Sequence, residues 1–107
     1  MLFRSVEGNA LPTPNLIISQ VCKFYNIDDA VIRSTKKSKN VADARQMAMY
    51  LVRQLTNLSF PDIGKEFGRD HTTVLYAVKK VESALKAGDT NLQNTIRDIT
   101  ANINSSL

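Results

Sequence analysis

The sequence contains few of the residues that build metal and redox sites. Its 107 residues include one histidine, His71, and one cysteine, Cys22. A single cysteine cannot form an internal disulfide, and one histidine and one cysteine far apart in sequence supply too few ligands for a usual zinc site. Cys22 lies in the apolar run LIISQVCKFY, which predicts a buried thiol in a protein of a reducing compartment. We therefore expect neither a metal site nor a disulfide.

Three longer patterns are also absent. No stretch approaches the ~20 apolar residues that a membrane helix needs, and the N-terminus lacks the pattern of a signal peptide, so we expect a cytoplasmic protein without membrane contact. The sequence contains no G-x-x-x-x-G-K-[ST] phosphate loop, which argues against a nucleotide cofactor in this chain. No segment shows sustained alternation of apolar and polar residues, so the fold class predicted is all-α.

The apolar residues follow helical spacing over most of the chain, and they predict about six helices with short connections. We assign residues 14–107 to one domain and residues 1–13 to a linker or the end of a preceding domain. The predicted inward stripes are Ile17, Val21 and Phe24; Val41, Ala44, Ala48, Leu51 and Leu55; Val74, Val78, Val81 and Leu85; and Leu92, Ile96, Ile99 and Ile103.

Basic residues outnumber acidic ones, 14 to 10, and part of the excess is clustered. The segment RSTKKSK, residues 33–39, contains four basic residues and no acid, and its lack of apolar spacing predicts a loop. Such a loop suits phosphates or a narrow DNA minor groove, although an isolated charge run is more often only solvated. Gln46 and Arg53 share one stripe of the following helix, with Arg45 at its edge. Together with the two lysines at positions 79 and 80, these segments make three that could converge on one duplex.

Residues 60–81 have the spacing of a helix-turn-helix. Ser59 stands three residues before Asp62, as in a capping box, and Pro61 is tolerated in a first helical turn. Gly68 is placed to end the first helix in the left-handed conformation, and Gly64 is small where two helices would cross closely. The outward face of the second helix is basic and hydroxyl-rich, which fits the DNA major groove; it carries Thr72, Tyr76, Lys79, Lys80 and Ser83.

The segment RDHTT admits other interpretations. Asp70 could simply cap the second helix, a role compatible with accepting a hydrogen bond from a cytosine amino group. His71 could act as a base toward Thr72 or Thr73 in a small hydrolytic enzyme, but adjacent helical residues point apart and a third, orienting group is missing. A helical protein-interaction module without DNA sequence preference also remains open.

The blocks RQMAMYL and RDHTTV together resemble the C-terminal DNA-binding domain of the DnaA family of bacterial chromosomal replication initiators, and the likeness runs from about Asn15 to the last helix. The resemblance implies a Trp-repressor-like helix-turn-helix with an additional basic loop. It also implies binding of double-stranded DNA at TTATNCACA-like boxes in replication initiation, together with transcriptional autoregulation, and no catalytic residue. The chain would then be either an excised domain of such an initiator or a small stand-alone relative, and we expect it to be monomeric and nucleoid-associated. For a parent initiator, the resemblance implies ATP and Mg²⁺ in a separate AAA+ module and oligomers formed through absent domains.

The resemblance also assigns contacts to individual residues. The implied base contacts are Lys37, Phe60, Pro61, Arg69, Asp70, His71, Thr72 and Thr73. The implied phosphate contacts are Ser38, Lys39, Arg45, Gln46, Arg53 and Lys80, to which the outward helical face adds Lys79. The sequence departs from the family pattern at Lys37, where arginine is usual, and in the turn, where many relatives have one more glycine.

Overall fold

The computed structural model describes residues 11–107, in which all regular structure is helical and no strand occurs. The helices are α1 (Pro14–Tyr25), α2 (Asp29–Ile32), α3 (Lys39–Leu55), α4 (Phe60–Phe67), α5 (His71–Lys86) and α6 (Thr90–Ser105). The all-α prediction of about six helices is therefore confirmed. Residues 1–10 of the predicted linker lie outside the described residues, so the boundary at residue 13 stays a prediction.

Four of the helices begin with a side-chain cap, in which a hydroxyl or carboxylate oxygen accepts a hydrogen bond from the backbone N–H three residues further on. The capping residues are Thr13 for α1, Ser59 for α4, Asp70 for α5 and Asp89 for α6. The sequence predicted the cap at Ser59 from its spacing to Asp62, and it offered a cap as one of two compatible roles for Asp70; both residues are caps in the structure.

Helix α3 lies at the centre of the fold and packs against α1, α2, α4 and α5, while α6 packs against α1 and α5. Their buried side chains form one hydrophobic core. Its largest fully buried members include Ile17, Ile18, Met47, Met49, Leu51, Ile63, Phe67, Ile99 and Ile103. Cys22 is buried as predicted, and burial raises the pKa of its thiol, so this side chain is a packing group.

Two sequence predictions were wrong in detail. Phe24 was placed on the inward stripe of α1 but is 44% exposed, with its ring edge to face on Tyr25 at a centroid distance of 5.4 Å. Helical spacing identifies a face, but it does not say where along that face the packing partner ends. The segment 33–39 was predicted to be a loop throughout, whereas α3 already begins at Lys39. The ammonium of Lys39 lies 3.0 Å from the carboxylate of Asp43 one turn later.

Candidate nucleic-acid interface

Helices α4 and α5 and the three residues between them form a helix-turn-helix. Gly68 ends α4 in the left-handed conformation, with φ of 65°. The backbone of the next residue is hydrogen-bonded to the end of α4, because the Arg69 N–H donates to the Gly64 carbonyl at 2.8 Å. Among residues 11–107, Asn26 is the only non-glycine residue with positive φ, so Arg69 has an ordinary backbone conformation. One glycine is therefore enough for this turn.

Gly64 is required by this turn. A Cβ atom at Gly64 would overlap the Arg69 carbonyl oxygen and lie 3.3 Å from the carbonyl carbon of Asp70. The sequence predicted a close approach at Gly64 but assigned it to a crossing helix. The close neighbour is instead the backbone that leads from the turn into α5.

The first turn of α5 forms the exposed tip of the motif. Asp70 Oδ1 accepts hydrogen bonds from both the backbone N–H and the hydroxyl of Thr73, each at 2.9 Å. These two bonds lower the pKa of the Asp70 carboxyl, so it is ionised at neutral pH. The side chains of Asp70, His71, Thr72 and Thr73 are exposed. The tip thus presents a carboxylate, an imidazole and hydroxyls to whatever approaches α5.

Arg45 has its guanidinium inside the protein, under the basic loop that joins α2 to α3, which we define as residues 33–38. Its side chain donates to the carbonyls of Ile32 at 2.8 Å, Ser34 at 2.8 Å and Lys36 at 3.1 Å, and the residue is 8% exposed. Burial, and next the positive charge of Arg69, lower the pKa of this guanidinium, although an arginine remains protonated at neutral pH. Arg45 therefore supports the loop from below, a role that the sequence did not predict.

Arg69 is likewise turned toward backbone carbonyls. One terminal nitrogen of its guanidinium donates to the Ser34 carbonyl at 2.6 Å, and the other donates to the Phe67 carbonyl at 3.1 Å. Arg33 adds a second connection between the same segments by donating to the Glu66 carbonyl. The basic loop is thus hydrogen-bonded directly to the end of α4 and to the turn.

Arg53 is a third arginine whose side chain holds the backbone, and it also contacts the ring of Phe60. The Arg53 guanidinium carbon lies 4.3 Å from the centre of the Phe60 ring, within the range of a cation–π interaction. Arg53 also donates to the Leu58 carbonyl at 3.0 Å. Phe60 is half-buried beside it, and Pro61 is exposed in the first turn of α4. Arg53 therefore stabilises the connection between α3 and α4 while its side chain stays largely exposed.

The basic loop, α3, the turn and α5 enclose a groove of about 530 Å³. Predicted contact residues from all four segments line it: Lys37, Arg45, Gln46, Arg69, Thr73 and Lys80. Tyr76 also lines this groove, is 70% exposed and was not among the predicted contacts, although its place on the outward face of α5 could have indicated it. The structure thus brings together basic segments that the sequence could only suggest were close.

The remaining predicted contacts lie around this groove. Asp70, His71 and Thr72 are at the tip of α5, while Phe60, Pro61 and Arg53 lie on the neighbouring α3–α4 side. Lys39 lines an adjacent hollow of about 260 Å³. Ser38 precedes α3 without a side-chain cap hydrogen bond, and Lys79 is exposed on α5. Whether each of these residues contacts DNA stays a prediction.

The exposed lysines differ from the arginines in their surroundings. Lys37, Lys79 and Lys80 are exposed, and none forms an ion pair with an acidic side chain of residues 11–107. In that same range no group of three or more His, Cys, Asp or Glu side chains could hold a metal ion, and no helix is long and apolar enough to cross a membrane. Apart from Arg53, the exposed positive charge around the groove is therefore carried by lysine.

The fold and this surface define a helix-turn-helix module with a basic loop beside its second helix. A family model described as the helix-turn-helix of bacterial DnaA protein matches residues 14–81. The chain belongs to this family.

Comparisons with individual proteins agree. The chain is 49% identical over 87 residues to the chromosomal replication initiator protein DnaA of Caldanaerobacter subterraneus subsp. tengcongensis, with 81% of the chain and 19% of the relative covered. It is 50% identical over 90 residues to the protein of that name from Limosilactobacillus reuteri, with 83% of the chain and 20% of the relative covered. A crystal structure described as a DNA replication initiation factor matches 84% of the chain and 29% of its own length, with 30% identity and a TM-score of 0.72. The chain therefore spans about a fifth of the length of these two relatives.

Proposed function

We propose that this domain binds double-stranded DNA sequence-specifically, at DnaA boxes of the TTATNCACA type, and that it does so in the initiation of bacterial chromosome replication. The observation that carries the proposal is that the basic loop and α5 line one groove together, the loop with Lys37 and α5 with Thr73 and Lys80. Family membership supports the same conclusion. Transcriptional autoregulation is the further role that we propose for the parent protein.

The geometry suits one duplex contacted at two places. A recognition helix enters the major groove with its N-terminal residues against the base edges, and in α5 these are Asp70, His71, Thr72 and Thr73. Each base pair has a distinct pattern of donors and acceptors there, and an ionised Asp70 can accept only from a cytosine or adenine amino group. Lys37 would lie in the adjacent minor groove, whose negative potential attracts basic side chains when it is narrow.

The other predicted contacts would orient the domain on the duplex. Contacts to phosphate oxygens fix the register of a protein on DNA without reading its sequence. We assign this role to the exposed or half-buried side chains around the groove, namely Ser38, Lys39, Gln46, Arg53, Lys79 and Lys80. Phe60 and Pro61 would approach the bases from the first turn of α4.

For the longer protein, we propose that ATP and Mg²⁺ bind in a separate module, that oligomers form through regions other than this domain, and that the protein acts at the nucleoid in the cytoplasm. The domain itself requires no catalytic residue for its proposed role. The alternative, a helical protein-interaction module, predicts no difference between a box and a scrambled duplex.

The test is fluorescence anisotropy of the domain on a box-containing duplex and on a scrambled duplex of equal length, from about 50 mM to about 200 mM salt. We expect the box to bind at least ~10³-fold more tightly at physiological salt. Lys80→Ala should weaken both duplexes alike and lower the salt slope by about one. Equal affinity for the two duplexes would rule out a sequence-specific reader.

The readout by Asp70 has its own matched pair of variants. Asp70→Asn preserves a good capping residue but turns a pure acceptor into a group that also donates, so discrimination at one base pair should fall roughly 10- to 100-fold. Asp89→Asn makes the same change at the cap of α6, outside the groove, and should leave DNA discrimination unchanged. Identical behaviour of the two variants would contradict the assignment of Asp70 as a base reader.

A further inference from the structure

The most unusual feature of the interface is a single carbonyl oxygen that binds two arginines. The Ser34 carbonyl accepts from Arg45 at 2.8 Å and from Arg69 at 2.6 Å. Neither guanidinium forms an ion pair with an acid of residues 11–107. Two like charges that meet at one oxygen repel each other. A carbonyl oxygen has two lone pairs, so the Ser34 carbonyl accepts both bonds and thereby joins Arg45 of α3 to Arg69 of the turn.

Arg69 links two reading elements that are far apart in sequence. Its two terminal nitrogens bond the carbonyls of Phe67 and Ser34, and residues 34 and 69 are 35 apart. The planar fork of arginine is what allows one side chain to join two acceptors in fixed geometry. Two of the five N–H donors of Arg69 are used in this way, so bringing the guanidinium to the edge of a guanine would require breaking the bonds that join the loop to the turn.

Arginine side chains hold backbone carbonyls between Val31 and Lys36, the residue before Lys37. Arg45 binds the carbonyls of Ile32, Ser34 and Lys36, and Arg69 adds its bond at Ser34. Lys37 is the first residue beyond this series, and it is exposed. A loop that is already ordered in the free protein loses less conformational freedom on binding, which favours affinity. The bonds from Arg69 and Arg45 thus fix the backbone from which the Lys37 side chain extends, and this limits the positions that its ammonium can occupy.

We propose that Arg69 is a positioning residue, which ties the basic loop to the turn of the helix-turn-helix so that Lys37 and the tip of α5 contact the duplex in one fixed register. This differs from the base contact that the sequence resemblance implies for Arg69. It rests on the proposed DNA-binding function and deepens it, because it says how two distant segments act as one reader.

A double-mutant cycle tests the proposal with the box duplex. Lys37→Ala should weaken binding about 10-fold in the wild-type background but less than about 3-fold in Arg69→Ala, because the loop then no longer places residue 37. Lys80 on α5 does not depend on the loop, so Lys80→Ala and Arg69→Ala should combine within about 2-fold of additivity. Additive losses for Arg69 and Lys37, with discrimination lost at a single major-groove base pair, would overturn the proposal in favour of a direct base contact.

A measurement on the free domain separates this proposal from the proposed function. In Arg69→Ala, backbone amide ¹⁵N relaxation should show increased mobility at residues 34–38 and unchanged mobility in α5, without any DNA present. A base-contacting arginine would leave the free loop unchanged, and that result would overturn the proposal even if the box is bound. Arg69→Lys retains the charge and the apolar stem but lacks the planar guanidinium that joins two carbonyls, so it should increase the mobility of residues 34–38 in the same way. This variant replaces Arg69→Ala in the measurement if the alanine variant fails to fold.

Discussion

Replacing Gly64 by alanine should destabilise the domain, although the same change at most helical positions stabilises a protein. Alanine is favoured over glycine in a helix interior by about 1 kcal/mol. At Gly64, however, the added methyl group would overlap the Arg69 carbonyl oxygen and lie 3.3 Å from the carbonyl carbons of Arg69 and Asp70. These atoms belong to the backbone of the turn, which cannot swing away as the end of a flexible side chain can.

The net effect can be worked from these contacts. Overpacking costs about 1 to 3 kcal/mol, and the upper end applies here because backbone must move. Displacing the turn also weakens the 2.8 Å hydrogen bond from the Arg69 N–H to the Gly64 carbonyl, which is worth about 1 kcal/mol. Against the gain in helix propensity, we expect a loss of about 2 to 3 kcal/mol in the free energy of unfolding. For a domain of this size the midpoint temperature would fall by roughly 10 to 20 °C.

Urea unfolding followed by far-ultraviolet circular dichroism measures this loss. Lys65→Ala is the matched control, because Lys65 is the next residue of α4, is exposed, and should change stability by no more than about 0.5 kcal/mol. The reasoning would be refuted if Gly64→Ala were as stable as the wild type or more stable. The turn would then be free to shift, and the entry of the chain into α5 would not depend on glycine at this position.

Two further predictions concern polar groups that hold backbone. Arg45→Met keeps most of the apolar stem but removes four hydrogen bonds to carbonyls, the longest of them to Val31 at 3.5 Å, and it should lower the free energy of unfolding by about 2 to 3 kcal/mol in the same urea assay. A loss below about 0.5 kcal/mol would contradict the supporting role of this buried side chain. The pKa of the Asp70 carboxyl is lower in the folded state than its unfolded value near 3.9, so the stabilisation from its ionised form is complete above that value and is lost as the pH falls through the lower folded pKa. Asp70→Asn should remove this part of the acid dependence of the urea midpoint, and an unchanged acid limb would show that the cap at Thr73 does not depend on charge.

The parts of the fold that sequence could predict are those with local causes. Ser59 and Asp70 cap the next helix within three residues, and Gly68 is the residue type that the left-handed end of α4 favours. The inward use of Arg45 and Arg69 could not be predicted in this way. Apart from the Phe67 carbonyl, which is two residues from Arg69, their acceptors are backbone carbonyls 9 to 35 residues away. Every residue type supplies such a carbonyl, so no pattern of side chains indicates the bond.

The interface therefore divides its positive charge between two tasks, and the chemistry of the two basic side chains explains the division. Arginine presents five donors in a rigid plane, which lets Arg45 and Arg69 hold several carbonyls at once. Lysine carries a compact charge on a flexible stem, which suits phosphate contacts whose exact direction varies. Because Arg45 and Arg69 already fix the loop, a lysine at position 37 is placed by the loop backbone beneath it. In the proposed binding mode, Lys37 brings its charge into the minor groove only while the loop holds its position, so the link through Arg69 matters for this contact.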